Sequence, residues 1–296
     1  TMFVCVIVLA FILGALARRI GLPTIVGFLL AGVAVGPYTP GYVGDSNIAE
    51  QFAEIGVILL MFGVGLKFSV QDLWSVKGVA IPGALGQMAA ATALGFGLGM
   101  ALGLDPAESF VLGFSLSVAS TVVLLRTLED RKLLKSENGR ICVGWLVIED
   151  LAIVLGIVML PATIAALQGG GGVEPGALAL TLGLALGKIA LFTALILVVG
   201  ARLFPWMIVQ VAHLKSPELM SLGTLALALG VAFAAYFIFD ASFALGAFLA
   251  GITLNGTKLT HKVAEDSLPL RDTFAVLFFV SVGMLFDPGT LLREPL

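Results

Sequence analysis

The sequence GWLVIEDLAI, residues 144–153, places two adjacent carboxylates, Glu149 and Asp150, inside an apolar run from about Ile141 to Leu167. A charged side chain at the centre of a bilayer costs about 2.5–3.5 kcal/mol on insertion scales. Carboxylates in such a position usually face a cavity and bind or relay something positive. The segment therefore predicts a cation or proton site on a membrane-spanning helix.

The composition is that of an all-α polytopic membrane protein. Of the 296 residues, 59% are hydrophobic and only 12% are charged, against about 25% charged in a soluble domain. Hydrophobic stretches of about 20 residues, the length that crosses a bilayer core, recur along the chain. We predict ten spans, at about 2–17, 23–36, 48–66, 78–103, 108–128, 141–167, 177–200, 218–239, 241–257 and 273–286.

The basic residues support this count. Of the 16 Lys and Arg residues, all except Lys188 and Arg293 fall in alternate loops or at their edges. The positive-inside rule places those loops in the cytoplasm, and the N-terminus then lies outside.

Two pairs of similar segments indicate an inverted repeat. GFLLAG at 27–32 matches GAFLAG at 246–251, an offset of 219 residues (Gly27 to Gly246). VILLMFGVGLKF at 57–68 matches AVLFFVSVGMLF at 275–286, an offset of 218 (Val57 to Ala275). The matched spans run in opposite directions, as in many secondary transporters. We expect one transmembrane domain over 1–296, with a first repeat at about 2–167, a linking helix at 177–200 and a partial second repeat at about 218–296. The fifth and sixth spans have no partner in the chain, so we expect thirteen spans in the native protein.

Glu149 and Asp150 point about 100° apart on a helix. One should therefore line a cavity while the other pairs or stays protonated. Burial and a neighbouring carboxylate both favour the neutral form of a carboxyl group, which suits proton/cation exchange. The alternative is a structural pair satisfied by neighbouring polar groups.

A second polar patch lies in the fifth span. On a continuous helix Ser117, Ser120 and Thr121 share a face, and such a patch can let the helix unwind and expose carbonyls to a cation. The alternative is a seam of small residues with hydroxyls bonded back to the helix. Glu54 and Lys188 are candidates to support the site from a distance, although the role of Lys188 is left open. Asp240, in a tight outer turn, is expected to be solvated.

Several of these segments together resemble the Kef-type branch of the monovalent cation:proton antiporter-2 family. They are FAEIG at 52–56 through VGL at 64–66, Ser120-Thr121, Glu149-Asp150 and FFVSVGM at 278–284. The resemblance implies a sodium/proton-antiporter-like fold of thirteen helices with two crossed, broken helices. It also implies a homodimer in a bacterial inner membrane, working by an elevator movement that exchanges K⁺ or Na⁺ for H⁺.

The resemblance maps the transport aspartate onto Asp150 and the broken-helix hydroxyls onto Ser120 and Thr121. The position before the aspartate is often Asp, Asn or Gln in the wider family, whereas here it is Glu149. Kef-type proteins also commonly carry a cytoplasmic nucleotide-binding regulatory domain, which is absent from this chain. We expect the lipid bilayer as partner, and neither a resident cofactor nor a nucleic-acid partner.

The sequence thus favours a proton-coupled monovalent cation antiporter, not an enzyme, in which Asp150 binds H⁺ and the cation in turn. One alternative is a ligand-gated K⁺ channel or an ion-coupled symporter on the same fold. Another is an intramembrane hydrolase that uses Glu149 and Asp150, although no second catalytic acid is evident on a different span.

Overall fold

The computed structural model describes residues 2–39, 46–167, 175–257 and 260–290, and in these ranges it contains helices and no strands. The helices are α1 (Met2–Arg19), α2 (Thr24–Val35), α3 (Ser46–Gly65), α4 (Val70–Ala101), α5 (Pro106–Leu116), α6 (Thr121–Asp130), α7 (Glu137–Leu167), α8 (Pro175–Leu195), α9 (Ala201–His213), α10 (Pro217–Phe239), α11 (Phe243–Leu254) and α12 (Thr260–Met284).

Each of the ten predicted spans coincides with a helix or with a pair of consecutive helices. Five helical segments of the described chain are long and apolar enough to cross a membrane: Val70–Ala101, Pro106–Asp130, Glu137–Ile164, Gly176–His213 and Pro217–Phe239. Two further apolar helices, α2 and α11, are short, with 12 residues each. The chain is therefore an all-helical membrane protein.

Two boundaries differ from the prediction. The predicted linking helix 177–200 is only part of a longer segment, because a π-helical turn at Ile196–Gly200 joins α8 directly to α9. The predicted span 273–286 is the second half of α12, which begins at Thr260. The charged residues before position 273 end the hydropathy signal. Arg271 is nevertheless buried inside this helix, where it has acidic partners.

Ten of these helices form two groups. In the carboxylate bundle, α4 packs against α5 and α7, and α6 follows α5 in the same broken span and contacts α7. In the glycine bundle, α3 and α12 pack against each other, α2 against α12, and α11 against α3, with α1 and α10 outside them. The core of the glycine bundle is α11, where every residue from Leu245 to Leu254 is buried.

Close backbone crossings hold the glycine bundle together, and they occur in two equivalent copies. A Cβ atom on Gly32 would meet the carbonyl oxygen of Val280 and the backbone of Gly283. A Cβ atom on Gly251 would meet the carbonyl oxygen of Phe62 and the backbone of Gly65. Only glycine permits helix backbones to approach this closely. Gly32 and Gly251 are 219 positions apart, and Gly65 and Gly283 are 218 apart, the same offsets as the sequence repeat.

Basic side chains from separate connections gather at one end of the molecule, which we call the basic end. Lys67 after α3 contacts Glu129 of α6, and Arg140 of α7 contacts Asp72 of α4. Because successive spans alternate in direction, these contacts agree with the alternation of basic loops in the sequence.

Candidate ion-binding site

Glu149 is the fixed member of the carboxylate pair. Its side chain is buried, and Oε1 accepts a hydrogen bond of 2.9 Å from Nε1 of Trp145, one turn earlier on α7. Oε2 accepts a hydrogen bond of 3.3 Å from the backbone N–H of Ala119, in the interruption between α5 and α6. Each oxygen thus has a donor, so the buried carboxyl group ties α7 to the broken span.

Asp150 points in another direction, as neighbouring residues on a helix must. It lies at the wall of a cavity of about 580 Å³ between α7 and the α10–α11 connection. On α7 the lining continues through Val154 and Val158, away from the basic end. The opposite wall includes Tyr236 and Asp240. Within the described residues Asp150 has no ion-pair partner. Its carboxylate is therefore the member of the pair that a cation in the cavity can reach.

Ser242 places the start of α11 at the Asp150 cavity. It is the N-cap residue of that helix and accepts a hydrogen bond of 3.1 Å from the backbone N–H of Leu245. It also lines the cavity that Asp150 lines. The positive end of the α11 dipole therefore faces the same cavity as Asp150.

The fifth span is broken beside this pair. Helix α5 ends at Leu116 and α6 begins at Thr121, with residues 117–120 outside any helix. The predicted common face of Ser117, Ser120 and Thr121 therefore does not form, because that prediction assumed a continuous helix.

The three hydroxyl residues have separate surroundings. Ser117 is buried and its hydroxyl donates to the carbonyl oxygen of Phe114 at 2.7 Å, the back-bonding of the alternative interpretation. Ser120 caps α6 through the N–H of Val123 at 3.4 Å. Thr121 is the first residue of α6 and is half-buried. Gln87 of α4 donates to the carbonyl oxygen of Ser117 at 3.0 Å, so one carbonyl at the break is already occupied.

Lys188 and Asp240 form an ion pair, with 2.6 Å between Nζ and Oδ2. Asp240 is 64% exposed, as expected for a solvated outer turn, and the ion pair is a partner that was not predicted. Asp240 is the C-cap residue of α10 and has a left-handed conformation, with φ 54°. Lys188 is not among the residues that line the Asp150 cavity in the described structure, but it pairs with Asp240, which is. Glu54 is not among the residues that line this cavity in the described structure; it lies on α3, one turn from Glu50.

Sequence reasoning missed Trp145, Gln87 and Ser242. Trp145 stands four residues before Glu149, a spacing that places both side chains on one face. Ser242 directly precedes an apolar helical run, which is the usual position of an N-cap residue. Gln87 is a polar residue in an otherwise apolar stretch of α4. All three signals were present in the sequence.

A buried ionic cluster at the basic end was also missed. Glu129 of α6 accepts from Arg271 of α12 at 3.0 Å and from Lys67 at 2.7 Å. Arg126 of α6 contacts Asp272 at 3.2 Å. A would-be Cβ on Gly63 lies 3.1 Å from Arg271 Cδ, so this glycine leaves room for the arginine beside α3. The cluster joins the two helix bundles.

Comparison with known proteins shows the family of the chain. Residues 7–295 match the family model described as sodium/hydrogen exchanger, transmembrane. The chain is 55% identical to the putative cation/proton antiporter YbaL of Escherichia coli (strain K12), over 98% of the chain and 52% of that protein. It is 34% identical to the glutathione-regulated potassium-efflux system protein KefC of Klebsiella pneumoniae, over 95% of the chain and 44% of KefC.

A plant protein is similar as well. K(+) efflux antiporter 4 of Arabidopsis thaliana is 35% identical, over 90% of the chain and 44% of the plant protein. The chain thus spans about half the length of these three relatives. Because the family model covers nearly the whole sequence, the chain belongs to the sodium/hydrogen exchanger transmembrane family.

Proposed function

We propose that this protein is an antiporter that exchanges a monovalent cation, K⁺ in preference to Na⁺, for protons at Asp150. The proposal rests on the different surroundings of the two carboxylates. Glu149 is held by Trp145 and Ala119, whereas Asp150 lines the cavity and has no cationic partner in the described structure. The names of KefC and of the Arabidopsis antiporter support the preference for K⁺.

Coupling follows if H⁺ and the cation compete for the same carboxylate. A protonated Asp150 is neutral and offers little to a cation, and a bound cation opposes protonation by its charge. The site then carries one ion or the other across, never both. The start of α11, capped by Ser242, adds the positive end of a helix dipole to the same cavity. Ser120 and Thr121, together with carbonyls of the broken span, are the further candidate ligands.

The two helix bundles suit alternating access. The carboxylate bundle carries Asp150, and the glycine bundle contains the repeated backbone crossings. We propose that these crossings relate α2 and α3 to α11 and α12 by an inverted repeat, which the equal offsets in sequence and in contact support. In an elevator-type movement the carboxylate bundle would shift against the glycine bundle. The basic end would face the cytoplasm, which places the N-terminus outside. Homodimer formation stays a prediction of the family resemblance.

The test is proton flux in proteoliposomes under an imposed pH gradient. We expect K⁺ addition to collapse the gradient with the unaltered protein and not with Asp150→Asn. The matched control is Asp105→Asn, which also removes one carboxylate. Because Asn caps helices about as well as Asp, this control should keep the cap of α5 and full flux. Cation flux that moves no protons and persists in Asp150→Asn would overturn antiport and favour a channel.

A further inference from the structure

A second cavity, of about 330 Å³, lies at the basic end between the α1–α2 turn and the end of α6. Its lining includes Arg18, Leu22 and Pro23 on one side and Thr127, Asp130 and Arg131 on the other. None of these residues belongs to the Asp150 site. The cavity is therefore distinct from the candidate ion-binding site.

The charges in this cavity indicate an anionic ligand. Arg18, in the last turn of α1, and Arg131, the C-cap residue of α6, form no ion pair within the described residues. Asp130 also lines the cavity, but its carboxylate already faces Arg126 at 3.6 Å. The Thr127 hydroxyl donates to Val123 at 2.8 Å, so it has no proton left for a ligand. The two guanidinium groups are therefore the donors, and guanidinium matches phosphate oxygens in a bidentate geometry.

The apolar side of the cavity indicates that the anion carries a hydrocarbon part. Leu22 is 44% exposed and lies in the lining, and the neighbouring Ile20 is 71% exposed. Both lie at the turn where two apolar helices end, which is the level of the lipid headgroups if the helices span a bilayer. Basic pockets between transmembrane helices on the cytoplasmic side bind anionic headgroups.

We propose that this cavity binds the phosphate of an anionic phospholipid through Arg18 and Arg131, with the glycerol and acyl part against Leu22. The α1–α2 turn belongs to the glycine bundle and α6 belongs to the broken span of the carboxylate bundle. A bound lipid would therefore link the two bundles at the basic end. The binding itself does not depend on the proposed transport function.

The test is a count of retained lipids by native mass spectrometry after titration with phosphatidylglycerol or with phosphatidylcholine of the same acyl chains. We expect one phosphatidylglycerol to bind more tightly than phosphatidylcholine. In Arg18→Gln/Arg131→Gln its affinity should fall about 30-fold, since each arginine near the surface contributes about a factor of five. The matched control, Lys135→Gln/Arg202→Gln, removes two exposed positive charges outside the cavity and should bind as before.

Two further arms make the result decisive. Leu22→Glu places a carboxylate at the apolar wall and should also weaken phosphatidylglycerol binding, without removing either arginine. Inorganic phosphate at millimolar concentration tests whether the phosphate group alone is recognised. If it displaces the lipid, the headgroup phosphate is the recognised element. If it does not, the lipid as a whole is required. Equal loss of binding in the Arg18/Arg131 variant and in the control, or no loss in either, would overturn the proposal.

Discussion

The buried pair of Glu129 and Arg271 offers the sharpest test of how the two bundles are joined. Their side chains are only 10% and 7% exposed, and Nη1 of Arg271 lies 3.0 Å from Oε1 of Glu129. Replacing Glu129 by Leu leaves the guanidinium buried with only Asp272 as an acidic contact. Loss of one partner of a buried ion pair costs about 3–5 kcal/mol. Because Asp272 stays at 3.1 Å, we expect a value near the lower limit, about 3 kcal/mol.

The double variant decides whether this cost comes from the pair. Among the residues that the structure describes, buried Oε2 of Glu129 and Nε of Arg271 have no hydrogen-bond partner. The native pair is therefore incompletely satisfied, and an apolar replacement of both residues should recover most of the lost stability. We expect Glu129→Leu/Arg271→Leu to be more stable than Glu129→Leu, with a coupling energy of about 1–3 kcal/mol.

The assay is unfolding in detergent by denaturant, followed by tryptophan fluorescence, on the unaltered protein, both single variants and the double variant. Lys188→Met is the control, because it breaks an ion pair whose side chains are 48% and 64% exposed. It should lose about 1 kcal/mol or less. The reasoning fails if the losses of the two single variants simply add in the double variant, since that would mean no coupling between Glu129 and Arg271.

Two other predictions concern packing and the fixed carboxylate. Gly251→Ala should destabilise the protein by more than about 2 kcal/mol, because its Cβ would meet the backbone of α3. Gly230→Ala is the control, because its Cβ would meet nothing within 4 Å, and it should be neutral or stabilise the protein by up to about 1 kcal/mol. Equal shifts of the melting temperature in the two variants would contradict the close approach of α11 to α3. Trp145→Phe removes the donor to Glu149 and should cost about 1–3 kcal/mol in the same unfolding assay, and an unchanged midpoint would show that the bond contributes nothing.

Most of the fold could be predicted from the sequence because hydropathy and charge are local signals. The ten predicted spans coincide with helices, and the GFLLAG and GAFLAG segments supply Gly32 and Gly251 at the two backbone crossings. The start of α12 was missed because hydropathy counts Arg271 as a surface residue. It is buried because it forms an ion pair with Glu129, 142 positions away in the sequence. Pairings over such distances leave no periodic pattern in the sequence.

The candidate site was predictable in part for the same reason. Helix geometry alone separates Asp150 from Glu149 by about 100°. The spacing of Trp145 and Glu149 indicates one donor, but the second donor, the Ala119 N–H, is free only where α5 and α6 are interrupted. The pairing of Lys188 with Asp240 likewise depends on how α8 lies against the end of α10. These contacts arise from tertiary packing and have no signature in the local sequence.

The measurement that tests the central claim most directly is proton release on cation binding. Purified protein in weakly buffered detergent solution would be titrated with KCl while the pH is recorded, and choline chloride would control for ionic strength. If H⁺ and K⁺ compete for Asp150, each K⁺ bound should release up to one proton, and the release should disappear in Asp150→Asn. Potassium binding without proton release in the unaltered protein, or the same release in Asp150→Asn, would contradict the account.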